Sequence, residues 1–325
     1  MSYTYTKDSK LHCVLCPHHC TLVEGERGIC MVRENRHGEL HLPFYGVLSA
    51  VSNDPIEKKP LYHFYPGSFI FSVGFYGCSF RCPFCQNYRI AQSTNVLDAR
   101  STQPAELVDK ALRQGALAIA YTYSEPLVHF EWMLETAKYA RSKGLKNILV
   151  SNGYVNPQPA EELLEVIDAA NIDLKSFRSE FYEDIVGGKL EPVLAFIKKA
   201  SQKIHLEVTT LVIPGYTDSE QEISDIARFL AELDTNIPLH LSCYFPAYRF
   251  DAPPTEAATV FALAETAKQH LSFVYPGNVG LSEVNSYCSA CGNTLIRRTG
   301  YRVEMPGIKG QACAECGRTV PFPVK

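Results

Sequence analysis

Three cysteines constrain this chain more than any other feature. They lie in Gly74-Phe75-Tyr76-Gly77-Cys78-Ser79-Phe80-Arg81-Cys82-Pro83-Phe84-Cys85-Gln86-Asn87, with the spacing Cys-x3-Cys-x2-Cys. Thiolates this close can share one metal centre, but three are one fewer than a closed four-cysteine site needs. A [4Fe–4S] cluster normally takes four cysteines, so three leave one iron open, and an open position marks a reactive site rather than a structural one. The motif directly follows the apolar run Phe69-Ile70-Phe71-Ser72-Val73, which reads as a buried strand. The cysteines are therefore expected on a loop leaving a strand's C-terminal end, where α/β barrels place their chemistry.

The rest of the chain supports that architecture. Apolar, β-branched runs recur near 69–75, 117–122, 146–151, 171–174, 204–213, 237–243 and 271–275, with helical patterns between them. One helix is predicted over 218–233, with Ile223, Ile226, Ala227, Leu230 and Leu233 on one face and a capping box from Thr217 to Glu220. Another is predicted over 104–115, with Pro104 in its first turn and Val108, Ala111 and Leu112 facing inward. Strands separated by single helices imply parallel βαβ units, and six or seven units make a partial or full (β/α) barrel. The length, 325 residues, suits a barrel of about 200–250 residues with appendages. Before the barrel, 38–68 reads as a connection with short strands, and three prolines within Asp54–Gly67 argue against a regular element there.

Eleven of the twelve cysteines fall into three clusters, and Cys243 stands apart as a buried small hydrophobe. Cys13, Cys16, Cys20 and Cys30 form a complete ligand set for zinc or for a second iron–sulfur cluster, with zinc favoured for a closed site on a loop-rich segment. His18 and His19 then become supporting or surface groups, and Arg27, Arg33 and Arg36 a solvated basic face. Near the C-terminus, Cys288-x2-Cys291-Gly292 and Cys313-x2-Cys316-Gly317 read as a zinc-ribbon or rubredoxin-like module, with zinc favoured over iron. Clustered thiols of this kind point to a reducing, cytoplasmic setting. The N-terminus has no apolar signal core and no run of 18 apolar residues exists, so no membrane segment is expected. The net charge of −4 argues against a protein that coats nucleic acid.

Polar residues mark several strand ends. Glu125 in Tyr121-Thr122-Tyr123-Ser124-Glu125-Pro126 reads equally as an acceptor for a ligand's ammonium group or as a helix-start carboxylate. Ser151-Asn152-Gly153 is a small polar turn. Asp173 and Lys175 share one face of a strand, as an interior ion pair or as ligand contacts. Trp132 and His240 read as core.

The cysteine loop, in this place, resembles the radical S-adenosylmethionine (SAM) superfamily. Together with the Glu125-Pro126 turn, Ser151-Asn152-Gly153, Asp173-Leu174-Lys175 and Val212-Ile213-Pro214-Gly215, it resembles the pyruvate formate-lyase activating enzyme branch over about 69–280. Cys13–Cys20, Asp54–Phe64 and Gly77–Asn87 further resemble radical SAM proteins of the AmmeMemoRadiSam system. The resemblance implies a [4Fe–4S] cluster on Cys78, Cys82 and Cys85, with SAM on the open iron. It places Phe84, Glu125, Ser151, Asn152, Asp173 and Lys175 around SAM. It also implies reductive cleavage to a 5′-deoxyadenosyl radical, an electron donor such as flavodoxin or ferredoxin, and a substrate beneath the loops of Tyr123, His240, Phe245, Tyr248 and Arg249. Val150 stands where the activating enzyme has an aspartate, which puts that branch's monovalent cation site in doubt.

The expected organisation is a metal-binding segment over 1–45, a connection over 46–68, the radical SAM barrel over 69–283 and the ribbon over 284–325. A glycyl-radical-enzyme activase with a protein substrate is the alternative within the class. An RNA-binding or RNA-modifying protein that reads with its cysteine modules is the alternative outside it, motivated by a ribbon charge of +4.

Overall fold

The computed structural model describes residues 3–92, 100–280 and 283–324. Its centre is one eight-stranded sheet of Ala50–Pro55 (β1), Phe69–Gly74 (β2), Ala118–Thr122 (β3), Lys146–Ser151 (β4), Ala169–Asp173 (β5), His205–Val212 (β6), Leu239–Cys243 (β7) and Val274–Gly277 (β8). Their order in space follows their order in sequence. From β2 onward every neighbouring pair is parallel, in registers such as Val73↔Tyr121 and Ile172↔Val208. Parallel strands need crossovers, and helices such as Pro104–Arg113 (α1), Phe130–Ser142 (α2) and Glu220–Leu233 (α3) supply them. The result is the α/β layout expected, with strands that are apolar on both faces because both are covered.

The connection before the barrel contains a short strand, as read, and that strand joins the central sheet. Ala50–Pro55 is an antiparallel edge strand of the central sheet, paired with β2 from Ala50↔Gly74 to Pro55↔Phe69, and Ile56–Lys58 is a 3₁₀ turn. The prolines stop the strand and shape a plug. Pro60 accepts a 2.7 Å hydrogen bond from Asn171, and the backbone N–H groups of Tyr62 and His63 donate to Glu207 at 3.0 and 2.7 Å. Glu207 and Asn171 are buried, and these bonds add to those that His205 and His240 make with Glu207 and Thr209 with Asn171. The plug continues to Lys59, which binds Asp54 at 2.9 Å and the Tyr123 hydroxyl at 2.7 Å, just past the end of β3.

Two helix details also change. The cap of α3 is Ser219, whose hydroxyl accepts from the Glu222 N–H at 3.1 Å, not Thr217. Thr217 instead closes the turn after β6, accepting from the Ile213 N–H and donating to the Leu211 carbonyl. In α1 the buried residues are Pro104, Leu107, Val108 and Ala111, and Leu112 is exposed. At about 100° per residue Leu112 falls at the rim of that stripe.

The N-terminal segment packs on α2 and on the turn after β4. Tyr3 donates to Glu162 at 2.7 Å, and Asn156 binds the Val14 carbonyl at 2.8 Å. Arg33 is not part of a solvated face: it is 2% exposed and grips Glu131 with two bonds of 2.7 and 2.8 Å. At the other end, Thr294–Thr299 and Arg302–Glu304 pair antiparallel, and a small core of Leu295, Ile296 and Phe322 closes on Phe273 and Tyr275 of the barrel. Arg298, counted among the ribbon's positive charges, is buried and donates to the Tyr62 carbonyl at 2.6 Å and to Ser286 at 2.8 Å.

Candidate active site

The C-terminal ends of β2 to β7 surround a cavity of about 260 Å³. Cys78, Cys82 and Cys85 line it together with Phe84, Glu125, Asn152, Asp173 and Lys175. Asp173 ends β5, and Glu125, Asn152 and Lys175 stand one to three residues beyond β3, β4 and β5, so the sheet's register places these four. Ser151 is the exception among the expected residues: its buried hydroxyl turns away to donate to Glu125 at 2.7 Å.

The cysteine loop is pinned on several sides. The Gly77 N–H donates to the Ile90 carbonyl at 2.8 Å, and the Ser124 hydroxyl binds the Gly77 carbonyl. Tyr123 and Ser124 both sit at positive φ, +48° and +62°, a conformation that costs free energy in residues with side chains. Their strain turns β3 back toward the loop, where Phe75 N–H meets the Tyr123 carbonyl. Asn152 donates to Ser79 at 3.0 Å and approaches the Cys78 sulfur at 3.8 Å, as a hydrogen-bond donor to sulfur. Arg81 binds the Cys78 carbonyl at 3.0 Å.

Burial raises all three thiols. Cys78 lies well above its ordinary value, with Glu125 adding to the effect; Cys82 is pushed up to about 11, opposed by Lys175; Cys85 is raised with opposition from the Asn87 backbone. A positive centre is therefore what would make these sulfurs thiolates. Burial would discharge Lys175, but Asp173, 3.0 Å away, and Cys82 hold it charged. Burial pushes the Glu125 carboxyl up to about 7, against hydrogen bonds from the Asn152 and Leu127 N–H groups and from Ser151. Glu125 is thus both the helix-start carboxylate and a wall of the cavity, with acceptor capacity left for one cationic donor.

The donor set fits a [4Fe–4S] cluster held on three sides. The sulfurs face one cavity but are not gathered as around one ion. Among the described residues, Cys288, Cys291, Cys313 and Cys316 are the group whose ligand atoms all lie within 4.8 Å of one another. No fourth cysteine or histidine lines the barrel cavity among the described residues. Val150 packs with Ile70 and Ile148, and its side chain offers no oxygen to a cation. His240 does not reach the cavity; it is buried against Glu207 at 2.6 Å and against Tyr62 and Tyr275. Cys243 is buried in the core. Phe84 stacks near Phe181 and Phe250 at the cavity wall, while Tyr248 stacks on Tyr88 at 4.7 Å and Arg249 donates to the Pro83 carbonyl. Sequence reasoning missed Ser124, Thr209, Leu211, Ser242 and Asn278, which line the same space without any motif of their own.

A sheet of parallel strands with a three-cysteine loop over its first parallel strand defines a radical SAM domain. The profile described as "Radical SAM superfamily" matches residues 72–230, and the chain belongs to that superfamily. It is 39% identical to "Uncharacterized protein MJ0808" of Methanocaldococcus jannaschii over 98% of each chain. It is 22% identical to the pyruvate formate-lyase 1-activating enzyme of Escherichia coli over 50% of this chain and 69% of that one. In fold it is similar to a radical SAM methyltransferase from Sphaerobacter thermophilus, with a TM-score of 0.52, 16% identity and 71% of each chain covered. The protein is an enzyme of this class. Among the described residues no helix is long and apolar enough to cross a membrane.

Proposed function

We propose that the chain cleaves SAM reductively on a [4Fe–4S] cluster held by Cys78, Cys82 and Cys85, and uses the radical to take hydrogen from a segment of a protein. The single observation that carries this is one cavity lined by three cysteines, the buried Glu125 and the charged Lys175–Asp173 pair. When bound, cluster and SAM supply a one-electron cleavage of the bond from sulfur to C5′, giving 5′-deoxyadenosyl radical. The chain's own residues do the positioning. Glu125 would offer its remaining lone pair to the amino group of SAM, Asn152 holds the cluster loop through Ser79, and Lys175 and Asp173 would hold its carboxylate and hydroxyls. Phe84 and its aromatic neighbours keep water from that wall. A one-electron donor such as flavodoxin or ferredoxin provides the reducing equivalent in the cytoplasm, and the ribbon cysteines hold zinc.

A protein substrate is favoured by the exposed aromatics Tyr216, Phe245 and Tyr248 on the loops after β6 and β7, since aromatic side chains are the usual anchors of protein recognition. An activase acting on a partner enzyme is the second reading, supported by the activating enzyme among the relatives. The test is anaerobic reconstitution with iron and sulfide, addition of dithionite and SAM, and chromatography for 5′-deoxyadenosine. The native chain is expected to produce it and Cys82→Ala to produce none. Equal, background yields from both would refute the reading.

A further inference from the structure

We propose that Cys13, Cys16, Cys20 and Cys30 hold a second [4Fe–4S] cluster rather than a zinc ion. The chain contains its own standard for a one-ion site. In the ribbon the sulfurs of Cys288 and Cys316, and of Cys291 and Cys313, are 3.7 Å apart. A tetrahedral zinc with bonds of about 2.3 Å requires about 3.8 Å between sulfurs. The N-terminal set does not follow that standard. Among the described residues it is not gathered about one point as the ribbon set is, and the same is true of the three barrel cysteines. Yet the four thiols line one common pocket. In not being gathered about a point they resemble the barrel set and not the ribbon set.

What lies between them agrees. The four cysteines line a common pocket whose other walls include Leu15, Ile29, Leu127, Val128 and Tyr154. One ion draws its four sulfurs together around it. A cubane carries its own sulfide core and binds each thiolate at a different iron, so it holds the sulfurs farther apart than one ion does. The apolar walls exclude water, as a buried cluster requires.

Arg33 gives an independent indication that an anion belongs there. It lines the cavity, and its guanidinium is committed to Glu131 through two nitrogens. The third, Nε, is buried with no hydrogen-bond partner in the protein. A buried N–H without an acceptor costs about 1–3 kcal/mol, and a cluster's sulfurs would supply the acceptor. The site also shares a wall with the barrel loop. Gly77 lies against the Cys30 carbonyl, and His18 Nε2 meets the Ser79 carbonyl at 2.7 Å, so His18 braces the two loops rather than ligating through that nitrogen.

The test uses the full chain, reconstituted anaerobically with iron and sulfide in the presence of zinc and then desalted. Iron, zinc and acid-labile sulfide are counted for the native chain and for a Cys16→Ser/Cys20→Ser variant. The native chain is expected to hold about eight labile sulfides and one zinc, and the variant about four sulfides with zinc unchanged. A variant that loses one zinc and no sulfide overturns the proposal. A Cys78→Ala/Cys82→Ala/Cys85→Ala variant separates this site from the barrel's. It should keep about four sulfides and, after dithionite, give the electron paramagnetic resonance signal of one reduced cluster, with no 5′-deoxyadenosine formed. Absence of labile sulfide from that folded variant also overturns the proposal, whatever the barrel does.

Discussion

Gly77→Ala is the most informative single change outside the cysteines. Gly77 has φ +78°, and a methyl group there would stand 2.3 Å from the Cys30 carbonyl oxygen and 2.7 Å from Val32 Cγ1. The φ alone costs about 1 kcal/mol in alanine. The overlap is with backbone, so one loop must move, and overpacking of this kind costs about 1–3 kcal/mol more. Gly144→Ala isolates the first part: its φ is +83° and nothing lies within 4 Å of the added carbon. Urea denaturation followed by circular dichroism should show a loss of about 1 kcal/mol for Gly144→Ala and about 2–4 kcal/mol for Gly77→Ala. Function should separate them further. A displacement of the order of 1 Å at a reacting centre can lower a rate about 100-fold, and Cys78 is the next residue. Formation of 5′-deoxyadenosine should therefore collapse in Gly77→Ala and persist in Gly144→Ala. Equal losses in the two variants would show that the contact between the cysteine loop and the N-terminal segment contributes nothing.

Two further expectations concern buried charge. Glu207 is held charged, far below its usual 4.5, because hydrogen bonds from His205 and His240 outweigh the burial that would raise it. A depressed carboxyl contributes stability that is present above its unfolded value and is lost as pH falls below it. Glu207→Gln should therefore cost about 3–5 kcal/mol at pH 7, and the gap from the native chain should narrow steadily below about pH 4.5; a gap constant with pH would refute it. Arg33→Met should cost about 2–3 kcal/mol, less than a fully buried pair because Glu131 keeps some water, and Arg33→Met/Glu131→Gln should recover part of it. No recovery in the double variant, by denaturant melting, would mean that the pair is not what Arg33 contributes.

The residues that were legible in the sequence are those whose role is local. Cys78, Cys82 and Cys85 announce themselves by spacing, and Glu125, Asn152, Asp173 and Lys175 by standing just past apolar runs. Their meeting in one cavity follows from the parallel sheet, which brings every such end to one side. The phrase Asp54–Phe64 was legible as a signature but not as structure. Its prolines report only that no long element runs through it. Its actual work depends on Asn171, Glu207 and Tyr123, which lie 64 to 145 residues away. The burial of Arg33 and Arg298 is not legible for the same reason: a cation's burial is decided by a distant partner, Glu131 in one case and the Tyr62 carbonyl in the other. The first cysteine set shows the limit most sharply. Four cysteines within eighteen residues specify a metal, but the choice between one ion and a cluster is made by how far apart the fold holds the sulfurs. The walls against that set, Gly77 at the Cys30 carbonyl and Tyr154 and Leu127 in its pocket, belong to the barrel and not to the motif.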